Sequence, residues 1–271
     1  MAHVLPPDRP WSVRFDALPG VRRARRAAYD RLFEQNPGHN LFRGVFPSAE
    51  AAVASAPTTR PVGYDNAESA AMYPVRTRPD AHDYPAMFWL SKAIDAGART
   101  VLDIGGHIGL KWYALRETVG FPSDLQWTVC DVPAVIARGT TLAREKGLGG
   151  QLRFTADYGA LDGCDLLFAS GALQYLPMSL PEWLRGLASP PRFIVLNTTA
   201  LHPERDYFTL NSTGTAFCPY RVAREGALVA ALERMGWRAV DRWANIGKTL
   251  VIPFEDGYDL PEYRGMYLVR G

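Results

Sequence analysis

Cysteine is scarce in this chain: Cys130, Cys164 and Cys218 are its only three, widely spaced and without a CxxC pair. An odd, scattered set excludes a disulfide framework, argues against a zinc site, and fits a reducing compartment. Charge of one sign is lacking too. Thirty Lys and Arg stand against 28 Asp and Glu, leaving a formal net charge of +2, too balanced to demand a nucleic-acid or membrane partner. No run of 18 apolar residues is present, so no spanning helix is expected. The opening MAHVLPPDRPW lacks the charged-then-apolar pattern of a signal segment. Internal repeats and biased tracts are missing as well. The expectation is a cytoplasmic protein with a small-molecule ligand, no nucleic acid, no membrane and no metal. The oligomeric state is left open, a homodimer included.

What the chain does have is apolar mass, 47% of residues, with 24 glycines and 21 prolines spread through 271 positions. That suits a packed core crossed by many turns and excludes a disordered chain. Residues 1–79 show no strand-like run. They offer a helical pattern over Val21–Gln35, a shorter one at Ala49–Ala56, and several Pro-containing turns. Arg22, Arg23, Arg25, Arg26 and Arg31 share the first of these; they read as a solvated helix face, with phosphate binding as the alternative. After Pro79 the texture changes. A helix is expected over Asp80–Asp95, followed by RTVLDIGG as a strand, Leu110–Thr118 as a helix, LQWTVCD as a strand and Val132–Lys146 as a helix. QLRFTAD, CDLLFAS and RFIVLNT read as further strands, with a helix near Leu180–Leu187 and another over Arg221–Met235. RAVDRW and YRGMYLVR close the chain as two more strands. Such alternation predicts an α/β fold, a doubly wound and mostly parallel sheet. Residues 80–271 suffice for it, which leaves 1–79 as an N-terminal helical cap or lid.

The strongest local signal is Val101-Leu-Asp-Ile-Gly-Gly-His-Ile-Gly109, where a ligand-binding loop of such a sheet belongs. Its glycines permit close backbone approach, and the next helix presents free amides. Asp103, two residues ahead of Gly105, would repel a pyrophosphate but suits an ammonium group. The spacing of Gly105, Gly106 and Gly109 also fails the dinucleotide pattern, which weighs against a nicotinamide-dependent oxidoreductase. Asp131 ends the second strand, in WTVCDVPAVI, where an acid accepts two ribose hydroxyls. Ala156-Asp157-Tyr158 ends the third, where a carboxylate takes an adenine amino group. Amino acid, ribose and base in that order outline S-adenosyl-L-methionine, which carries no phosphate. Taken singly, each acid is more often a helix cap than a ligand contact.

These residues resemble the class I S-adenosylmethionine-dependent methyltransferases. More narrowly, D-I-G-G-x-x-G followed by D-V-P-A-V-I at 131–136 is similar to the D-x-G-G-G-x-G and D-L-P-x-V-I segments of small-molecule O-methyltransferases. FWL at 88–90, SGALQYL at 170–176 and AFCPYRV at 216–222 also look like a family of uncharacterised bacterial methyltransferases. The resemblance implies a Rossmann-like sheet with a reversed terminal hairpin, and S-adenosyl-L-methionine held by Tyr84, Asp103, Gly105, Gly106, His107, Gly109, Asp131, Val132, Asp157, Tyr158 and Ser170. It implies in-line methyl transfer to a small acceptor, oxygen favoured, nitrogen or carboxylate open. A protein of the same fold that binds the sulfonium without methylating is the alternative.

Two departures stand out. His107 occupies the place of the third loop glycine, and it either turns away from the ligand or reaches into the pocket. Gln174 falls where plant-type relatives carry a catalytic His, and Gln takes no proton. The replacement base is then sought in His202, in NTTALHPERDY; Gln174 and Tyr175 complete the candidate catalytic set, Tyr175 as an orienting hydroxyl or a wall aromatic. Tyr220 is a wall aromatic or a second orienting hydroxyl. No N/D-P-P-Y/F motif stands at the fourth strand, which disfavours a nucleic-acid methyltransferase.

Overall fold

The structure, a computed structural model, describes residues 19–35 and 40–271. The expectations for the opening MAHVLPPDRPW and for residues 36–39 of the cap lie outside them. The elements are α1 (Pro19–Gln35), β1 (Leu41–Phe46), α2 (Ala49–Ala54), α3 (Ala67–Ala71), α4 (Asp83–Asp95), β2 (Thr100–Ile104), α5 (Leu110–Val119), β3 (Gln126–Cys130), α6 (Pro133–Glu145), β4 (Leu152–Thr155), β5 (Leu166–Ser170), α7 (Leu180–Arg185), β6 (Phe193–Thr199), β7 (Leu201–His202), β8 (Tyr207–Ser212), β9 (Phe217–Arg224), α8 (Glu225–Arg234), β10 (Trp237–Asn245) and β11 (Tyr263–Arg270). No helix among them is long and apolar enough to cross a membrane.

Seven strands form the main sheet in the order β10-β11-β6-β5-β2-β3-β4. The five from β2 to β6 are parallel, and β11 enters antiparallel beside β6 with β10 outside it. This is the doubly wound, mostly parallel sheet expected from the sequence, reversed terminal hairpin included. The central strands read as unbroken apolar runs because both faces are covered by helices. On one face Val101, Trp127, Phe168 and Val195 pack with Leu90 and Leu115. On the other Leu102, Leu167, Ile194 and Leu268 pack with Trp183, Val229 and Leu232. The chain reverses between β5 and β2, so the carboxyl ends of β2, β3 and β5 open the crevice in which such sheets bind ligands.

The described part of the N-terminal region carries α1, α2 and α3, but it is not strand-free as the sequence suggested. Its β1 pairs antiparallel with β8, which pairs with β9, giving a second sheet in the order β1-β8-β9-β7. β8 and β9 come from the segment between β6 and α8, so the cap is assembled from two distant stretches. The expected helix from Arg221 begins at Glu225 instead, since Arg221–Arg224 complete β9. Phe33 of α1 is fully buried and stacks on Phe217 at 5.3 Å between centroids. The arginines of α1 are in part committed to packing: Arg22 donates to the Phe254 carbonyl at 3.0 Å, and Arg26 pairs with Glu255 at 3.1 Å.

Candidate functional site

The loop between β2 and α5 has the backbone that its glycines permit. Gly105, His107 and Gly109 all have positive φ, at 65°, 55° and 91°. The Gly105 amide donates to the Cys130 carbonyl at 2.8 Å, which pins the loop to the end of β3. Gly106 has to be glycine for a steric reason, because a Cβ there would lie 2.3 Å from Asp103 Oδ2.

That contact places Asp103 beneath the loop. The carboxyl group is 1% exposed and accepts from the Trp127 indole at 3.1 Å, and burial pushes its pKa up to about 8. A carboxyl group enclosed between the loop and Trp127 supports the loop backbone from beneath, and its burial disfavours the charged form. Lys111, in the first turn of α5, acts on Asp103 and is held by Asp83 of α4. Tyr84, expected among the residues that hold the ligand, is 56% exposed on that same helix.

Asp131 directly follows β3. Its Oδ2 accepts from the His107 amide and its Oδ1 from the Val132 amide, each at 2.8 Å. One bond per oxygen leaves a lone pair on each, the acceptor set that a vicinal diol requires. Burial raises this carboxyl group, and the two amides pull it back down. Asp157 is exposed at the end of β4, with only Oδ1 engaged, by the Gly159 amide at 2.7 Å. Tyr158 follows, its ring edge-on to Trp183. Ser170 ends β5 and accepts from Asn197 Nδ2 at 3.4 Å. The loop, Asp131, Val132, Asp157, Tyr158 and Ser170 therefore share the carboxyl edge of one sheet.

The proposed base does not survive. His202 is 6% exposed in β7, and its Nδ1 accepts the amides of Glu204 and Arg205, each at 3.0 Å. That nitrogen terminates a turn and has no lone pair left for an acceptor proton. Gln174 is buried after β5, donates to the Thr198 carbonyl at 3.4 Å, and keeps Oε1 without a partner. Thr198 has φ of 45°, a strained value for a β-branched residue, of the kind that clusters at working sites. Tyr175 donates to Asn211 at 2.9 Å and lies edge-on to Tyr220, whose hydroxyl pairs with that of Tyr263 at 2.8 Å. Burial raises the pKa of Tyr220 and Tyr263, and desolvation of the hydroxyl raises that of Tyr175, which is 37% exposed overall.

Sequence reasoning missed the segment that covers this edge. Tyr64 and Tyr73 lie edge-on to the His107 imidazole at 6.2 and 5.2 Å. Asp65 Oδ1 accepts the Ala134 amide at 2.8 Å in the first turn of α6, and the Ser69 hydroxyl meets that of Thr215 at 2.8 Å. At five residues α3 is too short for periodicity to reveal it; its one readable mark is the Asn66 cap, which accepts the Ser69 amide at 2.8 Å. The open depressions found elsewhere, one of about 270 Å³ lined by Val75, Arg116 and Lys146, border neither the glycine loop nor Asp131.

No protein-family model matches the chain, and no curated protein matches it. Solved structures do resemble it. A Burkholderia thailandensis 1,6-didemethyltoxoflavin-N1-methyltransferase, with bound 1,6-didemethyltoxoflavin and S-adenosylhomocysteine, is 20% identical over 70% of this chain and 78% of its own, with a TM-score of 0.44. The mitomycin 7-O-methyltransferase MmcR is 17% identical over 99% and 74%, with a TM-score of 0.44. The [4+2]-cyclase SpnF is 16% identical over 75% and 91%, with a TM-score of 0.49. Likeness at this distance assigns no activity.

Proposed function

We propose that this protein is an S-adenosyl-L-methionine-dependent methyltransferase acting on a small-molecule acceptor, with an oxygen nucleophile favoured. The observation that carries the reading is Asp131: a strand-end carboxylate fixed by two backbone amides, with an unused lone pair on each oxygen. The donor set fits the cofactor in three further respects. Gly105 and Gly109 hold the loop backbone in its positive-φ path, Asp157 has one oxygen free of internal bonds, and Lys111 offers a cation at the start of α5. When bound, the cofactor supplies a methyl group on a positively charged sulfur that leaves as a neutral thioether.

The chain's own part is positioning. Asp131 takes the ribose hydroxyls, Asp157 the adenine amino group, and the loop backbone lies alongside. Gln174 and Tyr175 flank the acceptor side, where the amide orients the nucleophile and removes no proton. Orientation alone is worth about 7–11 kcal/mol in such a displacement, so an acceptor that is already ionised, or acidic enough to lose its proton to water, needs no protein base.

Calorimetry with S-adenosylhomocysteine tests the reading. Binding is expected, and Asp131→Ala should weaken it at least about ten-fold, from the loss of charged hydrogen bonds. No binding at millimolar ligand would overturn it. The engagement of His202 as a turn acceptor favours one second reading, a protein that binds the sulfonium without transferring its methyl group. Release of S-adenosylhomocysteine with any acceptor excludes that as the sole activity.

A further inference from the structure

His107 is an anomaly in three respects. It is a non-glycine residue at φ of 55° in a glycine loop, its imidazole is only 4% exposed, and its Nδ1 is buried without a partner. Its other nitrogen is committed. Nε2 lies 3.1 Å from the Ser69 carbonyl, and a carbonyl can only accept, so Nε2 carries the proton and Nδ1 is a bare acceptor. Unpaired buried acceptors are uncommon and costly. The residue's backbone amide is bonded to Asp131, while its ring is flanked by Tyr64 and Tyr73 of the cap. One residue thus joins the Asp131 carboxylate, through its backbone amide, to the segment lying over it, through its ring.

We propose that His107 is a positioning residue that couples cofactor occupancy to closure of residues 64–73: a ligand hydroxyl or amino group donates to Nδ1 and thereby fixes the tautomer whose Nε2–H holds the Ser69 carbonyl. The inference rests on the methyltransferase reading, since it takes the adenosyl ligand as the missing donor. Asp65 strengthens it from the other side of the same carboxylate, tying the segment to α6 two residues beyond Val132. Ser69 extends the link to Thr215 in the turn between β8 and β9, so the acceptor-side sheet is gathered into the same closure. A ligand shifts such an equilibrium only by its differential contact with the closed state, and Nδ1 supplies that contact.

The test is hydrogen–deuterium exchange on the full chain with and without S-adenosylhomocysteine, together with calorimetry, for the wild type, His107→Gly and His107→Asn. Glycine and asparagine both tolerate positive φ, so the loop path is kept, and circular dichroism confirms the fold. In the wild type the ligand should slow exchange in both 64–73 and 105–109. In His107→Gly it should still protect 105–109, with an affinity lower by about ten-fold, and leave 64–73 unprotected. In His107→Asn, whose side-chain oxygen approximates Nδ1 but does not reach Ser69, affinity should partly recover and protection of 64–73 should not. Equal protection of 64–73 in the wild type and both variants would overturn the inference while leaving the methyltransferase reading intact. No binding by the wild type would overturn that reading, and the inference with it.

Discussion

At the scale of single residues, Asp103 shows how a strong sequence signal can hold while its expected role changes. An acid two residues before the loop glycines suits an ammonium group, yet strand alternation turns this side chain onto the face of β2 that carries Val101, toward Trp127. Gly106 then closes over it. With its pKa pushed up to about 8 from an ordinary 3.8, the group keeps its proton in the folded state and loses it in the unfolded chain across that interval. More protons are bound to the native state, so stability is fully retained below about pH 4 and falls as pH rises toward 8, by at most about 1.4 kcal/mol per pH unit. Asp103→Asn removes the titration but keeps an oxygen for the indole. Urea unfolding from pH 5 to 8 should therefore show the variant gaining about 1–3 kcal/mol relative to the wild type. Parallel profiles would refute the assignment. The same variant should bind S-adenosylhomocysteine far better than Asp131→Ala does, whereas a direct ammonium contact would make the two losses comparable.

At the scale of elements, the second sheet depends on partners that local pattern does not reveal. The parallel strands were legible because each is a short apolar run followed by a helical period, and Asp131 and Asp157 were legible because those periods fix the strand ends. β8 gives no such signal. Its Thr209, Asn211 and Ser212 are fully buried polar residues, β9 contains Pro219, and the pairing of Leu41 with Ser212 spans most of the chain. Proline argues locally against a strand, and β1 offers six residues with little alternation. What makes the sheet worth forming is burial beneath it. Phe33 covers Leu210 and Phe217 from the α1 side, with the Arg43 guanidinium 4.8 Å from its centroid. Phe33→Ala should cost about 3–5 kcal/mol, read by urea unfolding of the whole chain. A loss under 1 kcal/mol would mean that α1 rests on the sheet without sealing it.

At the scale of the whole molecule, the layer formed by α1 and residues 40–78 packs on the rest of the chain and is less separable than its composition suggests. It contributes β1 to a sheet whose other strands arise after β6, it covers Tyr220 with Phe42 at 5.0 Å between centroids, and it reaches the glycine loop through Ser69 and α6 through Asp65. Removing it would leave β8 an open edge with unpaired amides and carbonyls, beside an uncovered patch of Leu210, Phe217 and Tyr220, a combination that promotes association of strands between molecules. The seven-stranded sheet would keep both of its helix layers, so secondary structure is expected to persist while tertiary cooperativity is lost. A chain of residues 80–271 should elute as aggregate on size exclusion, retain most of its far-ultraviolet dichroism, show no sharp thermal transition, and fail to bind S-adenosylhomocysteine at concentrations that saturate the full chain. If it instead melts cooperatively within a few degrees of the full chain and binds the ligand as tightly, residues 1–79 are a detachable lid, and the cofactor site is complete without them.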